Sequence, residues 1–256
     1  MKLDDLTIAK TLDAVNQRFY DTHYQAFDGT RQFGWPGWQE VVSRVVNPTP
    51  RVLDIGCGNG RFARFLDKHQ HHNPTTLYTG IDRCEKLLSN AASKTYTFST
   101  KWINLDWSDA LYNGSSPLAS PKYDLIVAFG VLHHIYHRNF RLKFLDWCTN
   151  HLTQGGYFVV SAWDFGRHSR FHKKFASPSV VLTETGLELQ RLEPNDFFLS
   201  FGQDATPLRY CHWLDDLESD ELISRLLDKR KTLRLVERIE QTDDLNRYWI
   251  FVDTRR

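Results

Sequence analysis

The chain has 256 residues, 41% of them hydrophobic, and a formal net charge of +1. That length can fill one substantial core with room for an appended lobe. The near-neutral balance excludes a globally basic protein, so any nucleic-acid contact must come from a local patch.

Residues 1–48 form an aromatic-rich leader, read as a lid. Its start, Met1-Lys-Leu-Asp-Asp-Leu6, lacks the apolar run of a signal peptide, and no later stretch approaches a membrane span. Arg51-Val-Leu-Asp-Ile55 followed by Gly56, Gly58 and Gly60 predicts a buried strand, a tight turn and the start of a helix. Phe62 to Lys68 then reads as a short helix, Thr76 to Asp82 as a second strand ending in an acid, and Glu85 to Lys94 as a helix. A third strand lies within Tyr96 to Leu105, followed by Asp106, and Asn113 to Pro121 is a loop on its glycine, serine and proline content.

Tyr123 to Gly130 is the clearest buried strand. A helix from about Arg138 to Leu152 is expected to stop at Gly155-Gly156, with Tyr157 to Trp163 as the fifth strand. Residues 164–212 read as an irregular insertion. Asp215 to Lys231 predicts a helix, and Leu233 to Glu240 pairs with Tyr248 to Val252 as a hairpin across Asp243-Asp-Leu-Asn246. Alternation of this kind argues a parallel sheet covered on both faces. The leader and the insertion are expected to meet beyond the carboxyl ends of the strands and to shape a substrate pocket there. Cys57, Cys84, Cys148 and Cys211 form no C-x-x-C pair, so neither a metal site nor a disulfide framework is indicated. A reduced, cytoplasmic protein is expected.

The chemistry begins at the glycines. Dinucleotide sites carry a third glycine where the helix packs and no acid before the first. Here Asp54 stands two residues before Gly56. A carboxylate in that position repels a pyrophosphate and suits a ligand bearing an ammonium group. The stretch resembles motif I of class I methyltransferases, which bind S-adenosylmethionine. The resemblance implies a Rossmann-like α/β fold, with a mostly parallel seven-stranded sheet, a C-terminal antiparallel hairpin and helices on both faces. The methyltransferase domain would span residues 49–256, with 164–212 as its substrate-region insertion.

The same resemblance implies a cofactor wall of Asp54, Gly56, Cys57, Gly58, Asp82, Arg83, Asp106, Trp107 and Phe129. Asp54 would hold the ammonium end, Asp82 would accept both ribose hydroxyls, and Asp106 with Trp107 would face the adenine. Each acid also has a plainer reading as a cap: Asp54 of the turn, Asp82 and Asp106 of the helices that follow. Small size alone accounts for Cys57.

A second resemblance, to the tRNA wobble-uridine carboxymethyl methyltransferases, is carried by four places. These are Phe19 to Arg31 with Trp35-Pro36, Ala128-Phe-Gly-Val-Leu-His-His134, Ala162-Trp163, and Leu208-Arg-Tyr-Cys-His212. Departures are a shorter, less basic link before Arg209, and Cys211 where an aromatic residue is common. The acceptor implied is a carboxylate on a modified uridine. An ionised carboxylate needs no general base, only orientation and a bidentate cation. Arg31 and Arg209 are the candidates for that clamp, with His133 or His212 adding a hydrogen bond. Relatives of this kind act with a small zinc-binding activator protein. The alternatives are a small-molecule O- or N-methyltransferase and a non-catalytic methyltransferase-like binding subunit.

Arg167-His-Ser-Arg-Phe-His-Lys-Lys174, with its interleaved Phe171, suits an RNA loop or a solvated face. Lys229-Arg-Lys231 with Arg234 complements a helix end or contacts RNA. Lys68-His-Gln-His-His72 reads as a hydrated loop, Gly34-Trp-Pro-Gly-Trp38 as a pin or lid, and Trp147 as packing.

Overall fold

The computed structural model describes residues 4–45, 51–69, 75–114, 118, 122–201, 204–240 and 245–255. The sheet is built around two adjacent central strands. β1 (Arg51–Ile55) and β4 (Tyr123–Ala128) are adjacent and parallel, with Val52 opposite Leu125 and Asp54 opposite Val127. Such runs are apolar on both faces because helices cover both. β2 (Leu77–Asp82) and β3 (Ser99–Asn104) extend one side of β1 in parallel. β5 (Leu152–Trp163), β9 (Asn246–Asp253) and β8 (Leu233–Ile239) extend the other, giving the order β3-β2-β1-β4-β5-β9-β8. β9 runs antiparallel to both its neighbours, so the expected C-terminal hairpin and the Rossmann-like class are observed. The chain order reverses between β1 and β4, which opens a crevice at their carboxyl ends.

α3 (Arg61–Lys68) and α4 (Glu85–Ala92) follow β1 and β2, the short α5 (Ser108–Asn113) follows β3, and α6 (Arg138–Asn150) precedes β5. α8 (Asp216–Lys229) starts at an N-cap whose Asp215 carboxylate accepts the Glu218 amide at 2.9 Å. α6 ends at Asn150, before the expected glycines. Gly155-Gly156 lies inside β5, where the register with β4 shifts and Gly155 has a φ of 73°. The pair therefore makes an irregularity within a strand rather than a helix stop. Parts of the 113–121 loop, the 68–72 stretch and the 243–246 turn lie outside the described residues.

Two segments carry more structure than expected. The leader folds as α1 (Asp5–Gly29), capped by Asp4, and as α2 (Gly37–Arg44). Ile8, Leu12, Val15 and Phe19 recur at helical spacing and are all buried, so one face of α1 joins the core. The region read as irregular contains α7 (Pro178–Thr185) and an antiparallel pair, β6 (Asp196–Phe201) and β7 (Asp204–His212). α1 packs on β7, where the buried Asn16 side chain accepts the Tyr210 amide at 2.8 Å. Among the described residues, no helix is long and apolar enough to cross a membrane.

The insertion is fastened to the domain by a closed charge network. Arg141, 1% exposed, donates from Nη2 to Glu193 at 2.6 Å, from Nε to Glu218 at 2.9 Å and from Nη1 to the Ile135 carbonyl at 2.9 Å. His212 lies between Asp196 at 2.7 Å and Glu218 at 2.6 Å. Against the cost of burial, these two acids hold the imidazole pKa above its ordinary value. Removing one member leaves the others buried and unpaired. Arg141→Ala is expected to destabilise the fold by about 3–5 kcal/mol, read as a lowered midpoint in urea unfolding; a change below about 1 kcal/mol contradicts this account.

Candidate cofactor and acceptor site

The crevice between β1 and β4 is a cavity of about 500 Å³ with walls from the strand ends, α1, the segment after β5, and β7. Its floor is the glycine turn. Gly56, Gly58 and Gly60 have φ values of 68°, 53° and 71°, a region that side chains disfavour. A Cβ on Gly56 would stand 2.4 Å from Val131 Cγ2, so the turn must run bare past the end of β4. The amides of Gly56 and Cys57 donate to the Ile81 carbonyl at 2.9 and 3.1 Å, which fastens the turn to β2.

Two acids border it. Asp82 accepts the Gly58 amide on one oxygen and the Cys84 amide on the other, each at 2.8 Å, so it ties the glycine turn to the residue that precedes α4 while lining the cavity. Asp54, 3% exposed, accepts the Tyr78 hydroxyl. Burial pushes its carboxyl up to about 7, against the Tyr78 hydrogen bond, and Asp82 adds to the rise. Cys57 also lines the cavity, and burial raises its thiol well above the ordinary value, which leaves it protonated. Arg83, Trp107 and Phe129 lie in the wall, the last packed edge-on to Phe62 at 5.0 Å. Asp106 does not. Its carboxylate caps the Ser108 amide at 2.9 Å and is 42% exposed, facing out beside Arg83 at 3.8 Å.

The opposite end is cationic. Arg31 and Arg209 both line the cavity, and among the described residues neither has a carboxylate within ion-pair distance. Arg209, 8% exposed, lies over the rings of Phe19 at 5.3 Å and Trp163 at 5.1 Å, and its Nε has no hydrogen-bond partner. Arg31 stacks on Phe27 at 4.8 Å. Burial and then the charge of Arg209 lower its pKa. The Arg31 carbonyl accepts from Asn59 at 3.2 Å and Arg64 at 3.3 Å, which fixes this strap to the glycine turn.

His133 lines the cavity with a buried, unpartnered Nδ1, and burial with His134 and Arg209 holds its pKa well below the ordinary value. It is therefore neutral at pH 7. His134 is held down to about 3 by burial and Arg209; it lies 2.9 Å from the Tyr20 hydroxyl and 2.9 Å from the Tyr210 carbonyl. His212 is not at the cavity: both ring nitrogens face acids in the closed network, so the hydrogen bond expected from it is unavailable.

Among the described residues two clusters of metal-ligating type occur, His133–His134–Cys211 and Glu193–Asp196–His212. In the first, both His134 nitrogens already face protein partners and Arg209 abuts Cys211; in the second, Arg141 and His212 neutralise the acids. Sequence reading missed Asp13, Gln17 and Tyr20, which all line the cavity. Their spacing follows one face of α1, a signal available once that helix is recognised.

Residues 53–158 match the family model described as a methyltransferase domain. A solved S-adenosylmethionine-dependent methyltransferase from Clostridium acetobutylicum superposes with a TM-score of 0.59 at 13% identity, covering 93% of this chain and 97% of that one. Residues 53–158 thus carry a methyltransferase domain, on the fold of the solved S-adenosylmethionine-dependent methyltransferases. In sequence it is 30% identical over 147 residues to the tRNA (carboxymethyluridine(34)-5-O)-methyltransferase of Schizosaccharomyces pombe, covering 56% of this chain and 55% of that protein. It is 24% identical to the Arabidopsis thaliana protein of the same name, over 57% of this chain and 32% of the relative. The chain thus spans about half the length of the first relative and a third of the second.

The raised Asp54 pKa sets a pH dependence with a definite sign. In the folded, ligand-free protein the carboxyl keeps its proton to about 7, whereas the unfolded chain releases it near the ordinary carboxylate value of about 4. Ligand-free stability therefore falls as pH rises through that window. If Asp54 meets the cofactor ammonium, binding instead tightens as pH rises through 7, because the anion is the form required. Asp54→Asn is expected to stabilise the ligand-free protein at pH 8 by on the order of 2 kcal/mol and to weaken S-adenosylmethionine binding at least about tenfold with a flattened pH profile. Thermal unfolding and calorimetry at pH 6 and 8 check both signs.

Proposed function

We propose that this domain transfers a methyl group to a carboxylate, and that the carboxylate belongs to a carboxymethylated wobble uridine of tRNA. The observation that carries the first part is the pair of cavity-facing guanidiniums, Arg31 and Arg209, without carboxylate partners among the described residues. Holding two like charges together in a poorly solvated cavity is costly, and a ligand carboxylate offsets that cost for both. The relatives' names supply the second part.

S-adenosylmethionine supplies the methyl group from its positive sulfur. The residues do the rest by binding and orientation. Arg31 and Arg209 would hold the acceptor carboxylate, leaving one oxygen lone pair aimed along the transfer line at about 3 Å. His133, neutral and with Nδ1 unpaired, can donate a hydrogen bond to a carboxylate oxygen when its proton sits on that nitrogen. Trp163 and Phe171 in the wall offer flat faces for a splayed base.

The rim supports a nucleic-acid acceptor only in part. Arg167 is paired with Asp164 at 3.1 Å and with Asp216, so it belongs to the fold. Arg170 lines the cavity mouth, and Lys173 and Lys174 are exposed beside it. In the second basic cluster Lys229 and Arg230 share Asp146, and Lys231 pairs with Asp228, which offsets part of its charge. Trp38 is buried against Phe62 and Phe129, a pin for the leader, and both it and Trp35 line the cavity.

The test uses an anticodon stem-loop RNA bearing 5-carboxymethyluridine, with ester formation followed by nucleoside mass spectrometry. Arg209→Ala and Arg31→Ala are each expected to lower turnover at least about a hundredfold while S-adenosylmethionine affinity changes less than about threefold. Wild-type turnover in both variants overturns the clamp, and absence of ester with the wild-type protein overturns the acceptor.

A further inference from the structure

The end of the cavity beside β3 holds a carboxyl that the glycine motif does not use. Asp13, midway along α1, lines the cavity together with Gln17, Arg83 and Trp107. Its Oδ2 accepts the Tyr112 hydroxyl at 2.5 Å, and its backbone carbonyl accepts Arg83 Nη2 at 3.0 Å. α1 is thereby fixed against both α5 and the end of β2. Asp106, the acid expected here, turns outward to cap Ser108 and is absent from the wall. Trp107 stays in the wall, held against Phe144 at 5.0 Å. Burial pushes the Asp13 carboxyl up to about 6, against the pull of Arg83 and Tyr112. At neutral pH it is therefore largely an incompletely solvated anion.

We infer that Asp13, brought in by α1, is the carboxylate that receives the exocyclic amine of the cofactor's adenine, in place of Asp106. An ionised carboxylate only accepts hydrogen bonds. The exocyclic amine is the one conventional donor on the adenine of a nucleoside, so a carboxylate facing the base has nothing else on it to pair with. The inference rests on S-adenosylmethionine as cofactor and not on the identity of the methyl acceptor. It has a structural consequence: the adenine end is complete only with α1 docked, and α1 also carries Tyr20 and leads into Arg31. Cofactor binding thereby favours the docked position of the helix that builds the acceptor end.

The test is calorimetry with two ligands, S-adenosylhomocysteine and S-inosylhomocysteine, in which a carbonyl oxygen replaces the amine. The wild-type protein is expected to favour the adenine form at least about thirtyfold. Asp13→Asn and Asp13→Ala are each expected to narrow that ratio to about threefold or less, while Asp106→Asn keeps it. Because the readout is a ratio on one protein, a general loosening of the fold cancels. An unchanged ratio in the Asp13 variants, a collapse of it in Asp106→Asn, or a wild-type ratio near one overturns the inference. Should no Asp13 variant fold, the wild-type ratio and the Asp106→Asn ratio still decide. Failure of the wild-type protein to bind S-adenosylhomocysteine at all would remove the cofactor assignment itself, and the inference with it.

Discussion

Charge removed from water must find its opposite, and this chain meets that constraint in two different ways. Around Arg141 and His212 three acids meet these two cations, with Arg138 also 3.9 Å from Glu193, so α6, the β6–β7 pair and α8 are clamped by charges matched within the protein. Around the cavity the matching is partial. Arg61 and Arg83 stand near Asp54 and Asp82, whereas Arg31 and Arg209 have no carboxylate within ion-pair distance among the described residues. The cavity suits a cationic group by the glycine turn and an anionic group by β7, which is the order in which a sulfonium cofactor with an ammonium and an acceptor carboxylate would lie.

The topology makes this separation possible. Only at the reversal between β1 and β4 do two strand ends diverge enough to open a crevice, and the glycine turn fills it from below. The parallel sheet supplies the acids, since Asp54 and Asp82 stand at or near the ends of β1 and β2. The cations come from outside it, Arg31 from the strap after α1 and Arg209 from β7. Asn16 joins these two outer pieces through the Tyr210 amide, and Tyr20 joins them through His134. The acceptor end is therefore a tertiary construction whose parts are held by side chains, whereas the cofactor end is largely a property of local backbone.

That difference explains what could be read from the sequence. Strand periods, the acid–glycine spacing and Asp82 depend on neighbours in the chain, and each stood out. The leader helix was missed because its many aromatic and polar residues obscured the spacing of Ile8, Leu12, Val15 and Phe19. The β6–β7 pair was missed because its strands gain their burial from α1 rather than from an alternating pattern of their own. His212 was misassigned for the same reason. Its neighbours in sequence suggested a reacting group, but its partners, Asp196 and Glu218, come from another strand and from α8. Gly155-Gly156 misled by composition, since glycine serves a strand irregularity as well as a helix end.

The histidines sharpen the argument about the acceptor. A hydroxyl or an amine that must lose a proton needs a base whose pKa lies near neutrality. His133 and His134 are both pushed far below that by burial and by Arg209, which makes them weak bases at any pH where the cations persist. The arginines that would repel a proton from these rings are the ones that would attract an anion. On the proposed reading, that arrangement suits a group that would arrive already ionised, since a carboxylate would need only to be held.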